Sequence, residues 1–320
     1  MKLIQWKKNL SRYAPSLILA AMIIVLVIAN RNFLSGQSIF NLMLQVSAVG
    51  VVAFGAMLVL ISSGIDFSSG YCMALAGVVA GYLYNTAGNS GVVLIITAII
   101  VGALVGLVNG LIITKLKLHP FISTLAMMSV CKGLSVMVGE GGQTLISTGY
   151  LLALGQDRLF GIVPYSFILF IVVAVIMWFI VNRTRVGVYT YAMGGNEDAV
   201  FYSGINQNLF KVLVYVIAGA CYGIAAILTV SQVTVISSNI SGDVLLDGIA
   251  SAVIGGTSLQ GGRGTVSGTI IGAFIITLIT TLLTFLGIPP LLRDAIKGCI
   301  IIAALLFDVA ISRISKKVIA

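Results

Sequence analysis

No charged residue interrupts the chain from Phe67 to Thr114. A helix needs about 20 apolar residues to cross the hydrocarbon core of a bilayer, so this stretch is long enough to cross twice. Asn85-Thr86-Ala87-Gly88-Asn89-Ser90-Gly91 supplies turn chemistry near its middle. Uncharged runs recur between Arg12 and Arg31 and from Asn32 to Ile65. Only 8% of the residues are charged and 59% are hydrophobic, against about 25% charged in an ordinary soluble domain. Too few polar side chains are present to clothe a wet surface, and the same composition excludes a disordered chain and a coiled-coil rod. The expectation is an all-α polytopic membrane protein. Ten transmembrane helices are predicted, near 13–30, 42–62, 70–86, 91–114, 120–138, 164–182, 211–231, 247–262, 265–286 and 292–312. The eighth is short enough to be broken or re-entrant. The whole chain, 1–320, reads as one transmembrane domain.

The basic residues test this layout. Lys2, Lys7, Lys8, Arg12, Lys115, Lys117, Arg183, Arg185, Lys211, Arg263, Arg313, Lys316 and Lys317 fall on the side of the N-terminus. Arg31, Arg158, Arg293 and Lys297 fall on the other, and Lys132 lies inside a span. Basic residues accumulate in cytoplasmic loops, so both termini are expected in the cytoplasm. The net charge of +9 is then an orientation signal rather than a nucleic-acid footprint. Lys7, Lys8 and Arg12 before an apolar run resemble a signal peptide, but no small-residue cleavage site follows, and the run reads as an uncleaved first span. Cys72, Cys131, Cys221 and Cys299 all lie in apolar stretches and are expected to be buried small hydrophobes.

Glycine recurs at helical spacing in Gly77-x-x-x-Gly81, Gly102-x-x-x-Gly106-x-x-x-Gly110, Gly219-x-x-x-Gly223 and Gly264-x-x-x-Gly268-x-x-x-Gly272. Each series puts bare backbone on one helix face, which lets helices approach closely in lipid. Packing within one subunit is the expected use.

Enzyme chemistry is not expected. The chain has no Gly-Lys dipeptide and hence no phosphate-binding P-loop. The one histidine, His119, cannot build a zinc site or a Ser-His-Asp triad alone. Gly255–Gly264, though glycine-rich, follows no strand pattern and reads as a tight connection between helices. No cofactor is expected.

Three features stand out. Ser63-Gly64-Ile65-Asp66-Phe67-Ser68-Ser69-Gly70 sets one carboxylate in a very apolar region; Asp66 either serves function at membrane depth or caps the following helix. Lys132-Gly133 and Lys297-Gly298 occupy comparable places in the fifth and tenth spans, which suggests an inverted repeat; Lys297 is also three residues from Asp294. The segment 183–211 is the longest polar stretch on the inner side. Within it Gly194–Ile205 reads as a short helix capped by Asn196 and Gly204, with Phe201 and Tyr202 awkwardly apolar for water. Such a helix docks into a partner's groove or lies on lipid.

At these residues the chain resembles the permease subunits of bacterial ABC importers for monosaccharides of the ribose, galactose and xylose type. The family's Gly-Gly-Ile-Asp-Leu-Ser-x-Gly is similar to Ser63–Gly70, with Ser63 and Phe67 as departures. Its Gly-Gly-Asn-x-x-Ala-Ala-x-x-Ser-Gly-Ile is similar to Gly194–Ile205, with Val200 as a departure. A third motif is similar to Asp247–Gly268, with Gly248 as a departure. The resemblance implies a pair of permeases in the bacterial inner membrane, a cytoplasmic ATP-binding subunit and a periplasmic or lipid-anchored solute-binding protein. It also implies that Gly194, Gly195, Asn196, Ala199, Ser203, Gly204 and Ile205 form a coupling helix within 183–211. The outer loop Gly139–Val163 would help receive the binding protein. Asp66, Ser68 and Lys132 are the candidates for the translocation path, with Asn109, Ser123, Thr124, Thr280 and Thr281 as further polar groups inside spans. The alternatives are an ion-coupled secondary carrier, with Asp66 as its ion site, and a channel or scaffold.

Overall fold

The computed structural model describes residues 2–86, 90–140, 143–145, 149–233, 235–237, 242–290, 292–300 and 302. The helices are α1 (Lys2–Ala29), α2 (Gly36–Ile61), α3 (Ser69–Thr86), α4 (Gly91–Lys115), α5 (Pro120–Val138), α6 (Gly149–Gln156), α7 (Tyr165–Arg183), α8 (Arg185–Gly195), α9 (Glu197–Tyr202), α10 (Gln207–Val233), α11 (Gly242–Ile254) and α12 (Val266–Phe285). A 3-10 turn covers Arg31–Leu34. Residues 292–300 are also helical. Two short antiparallel pairs complete the described residues: β1 (Gln143–Leu145) with β4 (Val235–Ser237), and β2 (Arg158–Leu159) with β3 (Val163–Pro164).

Six helices are long and apolar enough to cross a membrane: α2, α4, α5, α7, α10 and α12. The other four expected crossings correspond to α1, α3, α11 and the helix at 292–300, which fall outside that six. The eighth expected span is corrected: its helix ends at Ile254, and residues 255–265 continue as irregular backbone to the start of α12. Glycines at positive φ (Gly256, Gly261, Gly262) cannot continue a right-handed helix there. The far part of the tenth expected span lies outside the described residues, as do Arg313, Lys316 and Lys317.

The bundle is organised around α2. Every residue from Gly50 to Ile61 is buried, because α2 is covered by α7, α10, α11 and α12. Phe54 stacks on Phe170 of α7 at 5.5 Å between ring centroids. By contrast α4 keeps an open stripe of Val92, Ile96, Ile100, Leu104 and Val108, spaced for one helix face. Its glycines 102, 106 and 110 are offset by two residues, about 200° around the helix, and face α10. A methyl group built on Gly102 would lie 2.9 Å from the Gly223 nitrogen, and one on Gly219 2.8 Å from the Gly102 carbonyl carbon. Gly268 and Gly272 in the same way meet the backbone of Gly255 and Ser251. These glycine series therefore pack helix against helix within one subunit.

One end of the bundle gathers the 3-10 turn, both strand pairs and α6. Arg158 Nη2 there donates to Gln37 Oε1 at 2.6 Å while its guanidinium lies over the Phe40 ring. The opposite end gathers the turn 62–68, α8, α9 and the loop 255–265. Segments expected on one side of the membrane thus share one end of the molecule.

Candidate functional site

At the second end, the expected short helix forms as α9, and the polar stretch also contains α8. Gly194 and Gly195 are the last residues of α8 rather than part of α9. Asn196 closes one helix and opens the next: its N–H donates to the Ala192 carbonyl, and its Oδ1 accepts from the Ala199 N–H at 3.0 Å. Glu197 and Asp198 lie in the first turn, where carboxylates favour the positive end of the helix dipole. Gly204, at φ +76°, ends the helix in left-handed backbone. Ser203 Oγ donates to the Ala199 carbonyl, and Ile205 is half-buried. Val200 is buried, whereas Phe201 is 66% and Tyr202 86% exposed. One face of α9 is thus anchored, and the other displays two aromatic rings, 5.6 Å apart and nearly perpendicular.

Behind α9 the chain makes a junction of backbone on backbone. Gly194 packs directly against the Ile61 carbonyl and Gly262. The Gly262 N–H donates to the Ile61 carbonyl at 2.9 Å. The Ser63 hydroxyl shares its proton between the Gln260 carbonyl at 3.0 Å and the Gly194 carbonyl at 3.3 Å. Tyr191 Oη donates to the Gly264 carbonyl at 2.6 Å, and partial burial pushes its phenol pKa up, which keeps the donor proton in place. The three motifs that carried the resemblance meet at this junction.

Three residues beyond Ser63 lies Asp66, only 4% exposed. Its Oδ1 accepts from the Ser68 N–H at 2.8 Å and from Ser68 Oγ at 2.6 Å. Asn109 Nδ2 of α4 donates to Ser68 Oγ at 2.9 Å. Thr124 of α5 donates to the Ile65 carbonyl and accepts from the Phe67 N–H. Asn109 lies six residues before the end of α4, roughly 9 Å along the axis. Asp66 thus braces the turn that leads into α3, and it is buried. Ser69 Oγ, Asn109 Oδ1, Tyr215 Oη and Tyr222 Oη are also buried, and none has a hydrogen-bond partner among the described residues. The Tyr222 phenol lies beside the Asp66 carboxyl.

Lys132 does not join this cluster. It is exposed on α5, with Nζ 5.6 Å from the Tyr71 ring centroid. Ser123, Thr280 and Thr281 turn their hydroxyls to carbonyls four residues back in their own helices. Cys299 is exposed, contrary to expectation, because the helix at 292–300 is a peripheral element; Cys72, Cys131 and Cys221 are buried. Asp247, the first residue of the third motif, is not among the expected site residues. It lies 3.2 Å from Lys297 Nζ, which also reaches Asp294 at 3.4 Å. The sequence offers for Lys297 only its neighbour three residues back, Asp294.

A family model described as the permease component of branched-chain amino acid transport systems matches residues 38–305. The ribose import permease protein of Bacillus subtilis (strain 168) is 37% identical over 310 residues, covering 96% of this chain and 95% of that protein. The ribose import permease protein of Escherichia coli (strain K12) is 33% identical, covering 91% of this chain and 92% of that protein. The galactose/methyl galactoside import permease protein of the same strain is 32% identical over 315 residues, covering 91% of this chain and 92% of that protein. No solved structure matches. With a match over most of its length, the chain belongs to this family of transport-system permease components.

Proposed function

We propose that this protein is the membrane-spanning subunit of an ATP-driven importer that carries a monosaccharide or similar polyol across the bacterial inner membrane. The observation that carries the reading is the near-full-length similarity to ribose and galactose import permeases. The chain has no P-loop, so ATP hydrolysis falls to a cytoplasmic partner subunit. Residues 1–320 act as one permease domain with both termini in the cytoplasm, beside a second permease subunit and a periplasmic or lipid-anchored solute-binding protein.

The segment 183–211 is the coupling loop. Gly194, Gly195, Asn196, Ala199, Ser203, Gly204 and Ile205 shape and cap α9, and Phe201 and Tyr202 are the side chains that fill a groove on the ATP-binding subunit. An aromatic pair anchored by one buried residue suits that use, since aromatic side chains dominate interface energetics. Closure of the ATP-binding subunits displaces α9 and switches the permease pair between outward- and inward-facing states.

Asp66 and Ser68 border the path from inside, and Lys132 from the open face of α5. A charged side chain facing hydrocarbon is costly, so the Lys132 face is the one assigned to a second subunit or to water. A neutral sugar needs hydroxyl and amide partners rather than a counter-charge, and the Ser68–Asn109–Thr124 group supplies them.

The test is uptake of labelled ribose, galactose and allose into proteoliposomes holding the permease, its co-encoded ATP-binding subunit and its binding protein. Saturable uptake that requires internal ATP and survives a protonophore is expected. Uptake without ATP, or its collapse with the proton gradient while ATP is held constant, would overturn the proposal.

A further inference from the structure

The junction behind α9 suggests how movement leaves the coupling loop. Ser63 has φ +60°, the left-handed region that side-chain-bearing residues rarely adopt. The strained residue is the one whose hydroxyl reaches both Gly194, 131 positions away, and Gln260, 197 positions away. Around it, Gly261 at φ +84° and Gly262 at φ +70° bring the loop 255–265 onto Gly194 and Gly195. The space is filled by backbone: a methyl group on Gly194 would run into the Ile61 carbonyl and one on Gly261 would lie 2.9 Å from the Gly194 carbonyl. On its far side the same turn holds Asp66 and is tied to α5 through Thr124 and, by Ser68, to Asn109 of α4. The coupling loop is therefore joined directly to the turn carrying the buried carboxylate and to the loop entering α12.

We propose that Ser63 is a positioning residue for coupling. Its hydroxyl, with the Gly194–Ile61–Gly262 backbone contact, makes α8–α9, the turn 62–68 and the loop 255–265 move as one body. Displacement of α9 by a partner then reaches Asp66 and α12 without passing through a flexible link. The proposal rests on the reading of α9 as the partner-contacting helix.

The experiment reads transmission without needing the solute. Hydrogen exchange in segment 62–68 is followed in the purified permease, with and without its co-encoded ATP-binding subunit and a non-hydrolysable ATP analogue. In the parent, assembly is expected to change exchange in 62–68 at least threefold. Ser63→Gly removes the hydroxyl and relieves the backbone strain, so its melting temperature stays at or above the parent's, while the exchange response falls below half. Ser63→Asn, which tolerates left-handed backbone and carries an amide donor, is expected to recover most of it. Tyr191→Phe, which removes the phenol link to Gly264, is expected to weaken the response in the same direction.

A parent-like response in Ser63→Gly, a loss that Ser63→Asn does not recover, or a loss accompanied by a lower melting temperature would overturn the role of Ser63. A double substitution of Phe201→Ser and Tyr202→Ser serves as the separate arm. Its failure to bind the ATP-binding subunit supports the underlying reading of α9. Normal binding by that variant overturns the reading and the proposal with it.

Discussion

The crossing of α4 and α10 contains almost no side chain, and this makes its energetics calculable. Ala substituted at Gly219 would bring its methyl group 2.8 Å from the Gly102 carbonyl carbon and 3.1 Å from the Gly106 nitrogen, where ordinary contact begins near 3.4 Å. Neither neighbour is a flexible tip that can swing aside, so the helices must separate by at least 0.6 Å, the gap between 2.8 and 3.4 Å. A gap of about 0.5–1 Å forfeits a quarter to a half of each atom-pair attraction of ~0.1–0.2 kcal/mol. Spread over the many atom pairs of the seam, the loss falls within the range of about 1–3 kcal/mol for ordinary overpacking, and the lack of any flexible neighbour places it toward the upper end. In lipid there is no hydrophobic drive between helices to offset it. The assay is thermal unfolding of the detergent-purified protein with a thiol-reactive dye, since the buried Cys72, Cys131 and Cys221 react only on unfolding and the exposed Cys299 sets the baseline. Gly219→Ala is expected to melt at least ~5 °C below the parent. Gly102→Ala/Gly219→Ala is expected to be milder than the sum of its parts, because one separation relieves both clashes. Gly133→Ala is the control: no atom lies within 4 Å of its added methyl group, and replacing glycine inside a helix gains up to about 1 kcal/mol. If Gly219→Ala melts with the parent, the close backbone contact is not what holds the two helices together.

Three further outcomes are expected. Lys297→Met leaves the Asp247 carboxylate without its ammonium neighbour in the apolar interior and should destabilise by about 3–5 kcal/mol, whereas Lys297→Met/Asp247→Leu should recover most of this in the same melting assay. Ser68→Ala removes the Asp66 bond and strands the Asn109 amide, for a loss of about 1–3 kcal/mol with a matching drop in melting temperature. Asn196→Ala deletes the cap of α9, worth about 1 kcal/mol; titration with the ATP-binding subunit should show binding weakened about fivefold while global melting is unchanged.

What the sequence disclosed follows the range of the forces involved. Long uncharged runs located the apolar helices because hydrocarbon thickness acts on each segment alone. The caps of α9 were legible because Asn196 and Gly204 act within a few residues of themselves. The end of α11 at Ile254 was legible only in part: Gly255–Gly264 reads as a tight connection, yet the expected span runs on to 262, and the residue at which the helix stops depends on glycines whose positive φ exists only in the folded chain. The pairing of Asp247 with Lys297 spans fifty positions, and nothing local points from one to the other. Lys132 was visible as a lone charge in a span, but the direction in which α5 turns it, outward over Tyr71, is set by how that helix packs and has no local signal. Ser63 was visible as a departure from the resembling motif, but its left-handed backbone and its two distant carbonyl acceptors exist only in the folded chain.

The seam between α4 and α10 also has a consequence for biogenesis. Roughly a hundred residues separate Gly102 from Gly219, and a ribosome adding ~5–20 residues per second takes about 5–25 s to supply them. During that interval the glycine face of α4 has no native cover, and α2 waits for the same helix. The first half of the protein is therefore synthesised before α10 exists to cover it, and its closure cannot precede that interval. A slow codon run between the two halves would prolong the time in which insertion factors and proteases can reach it.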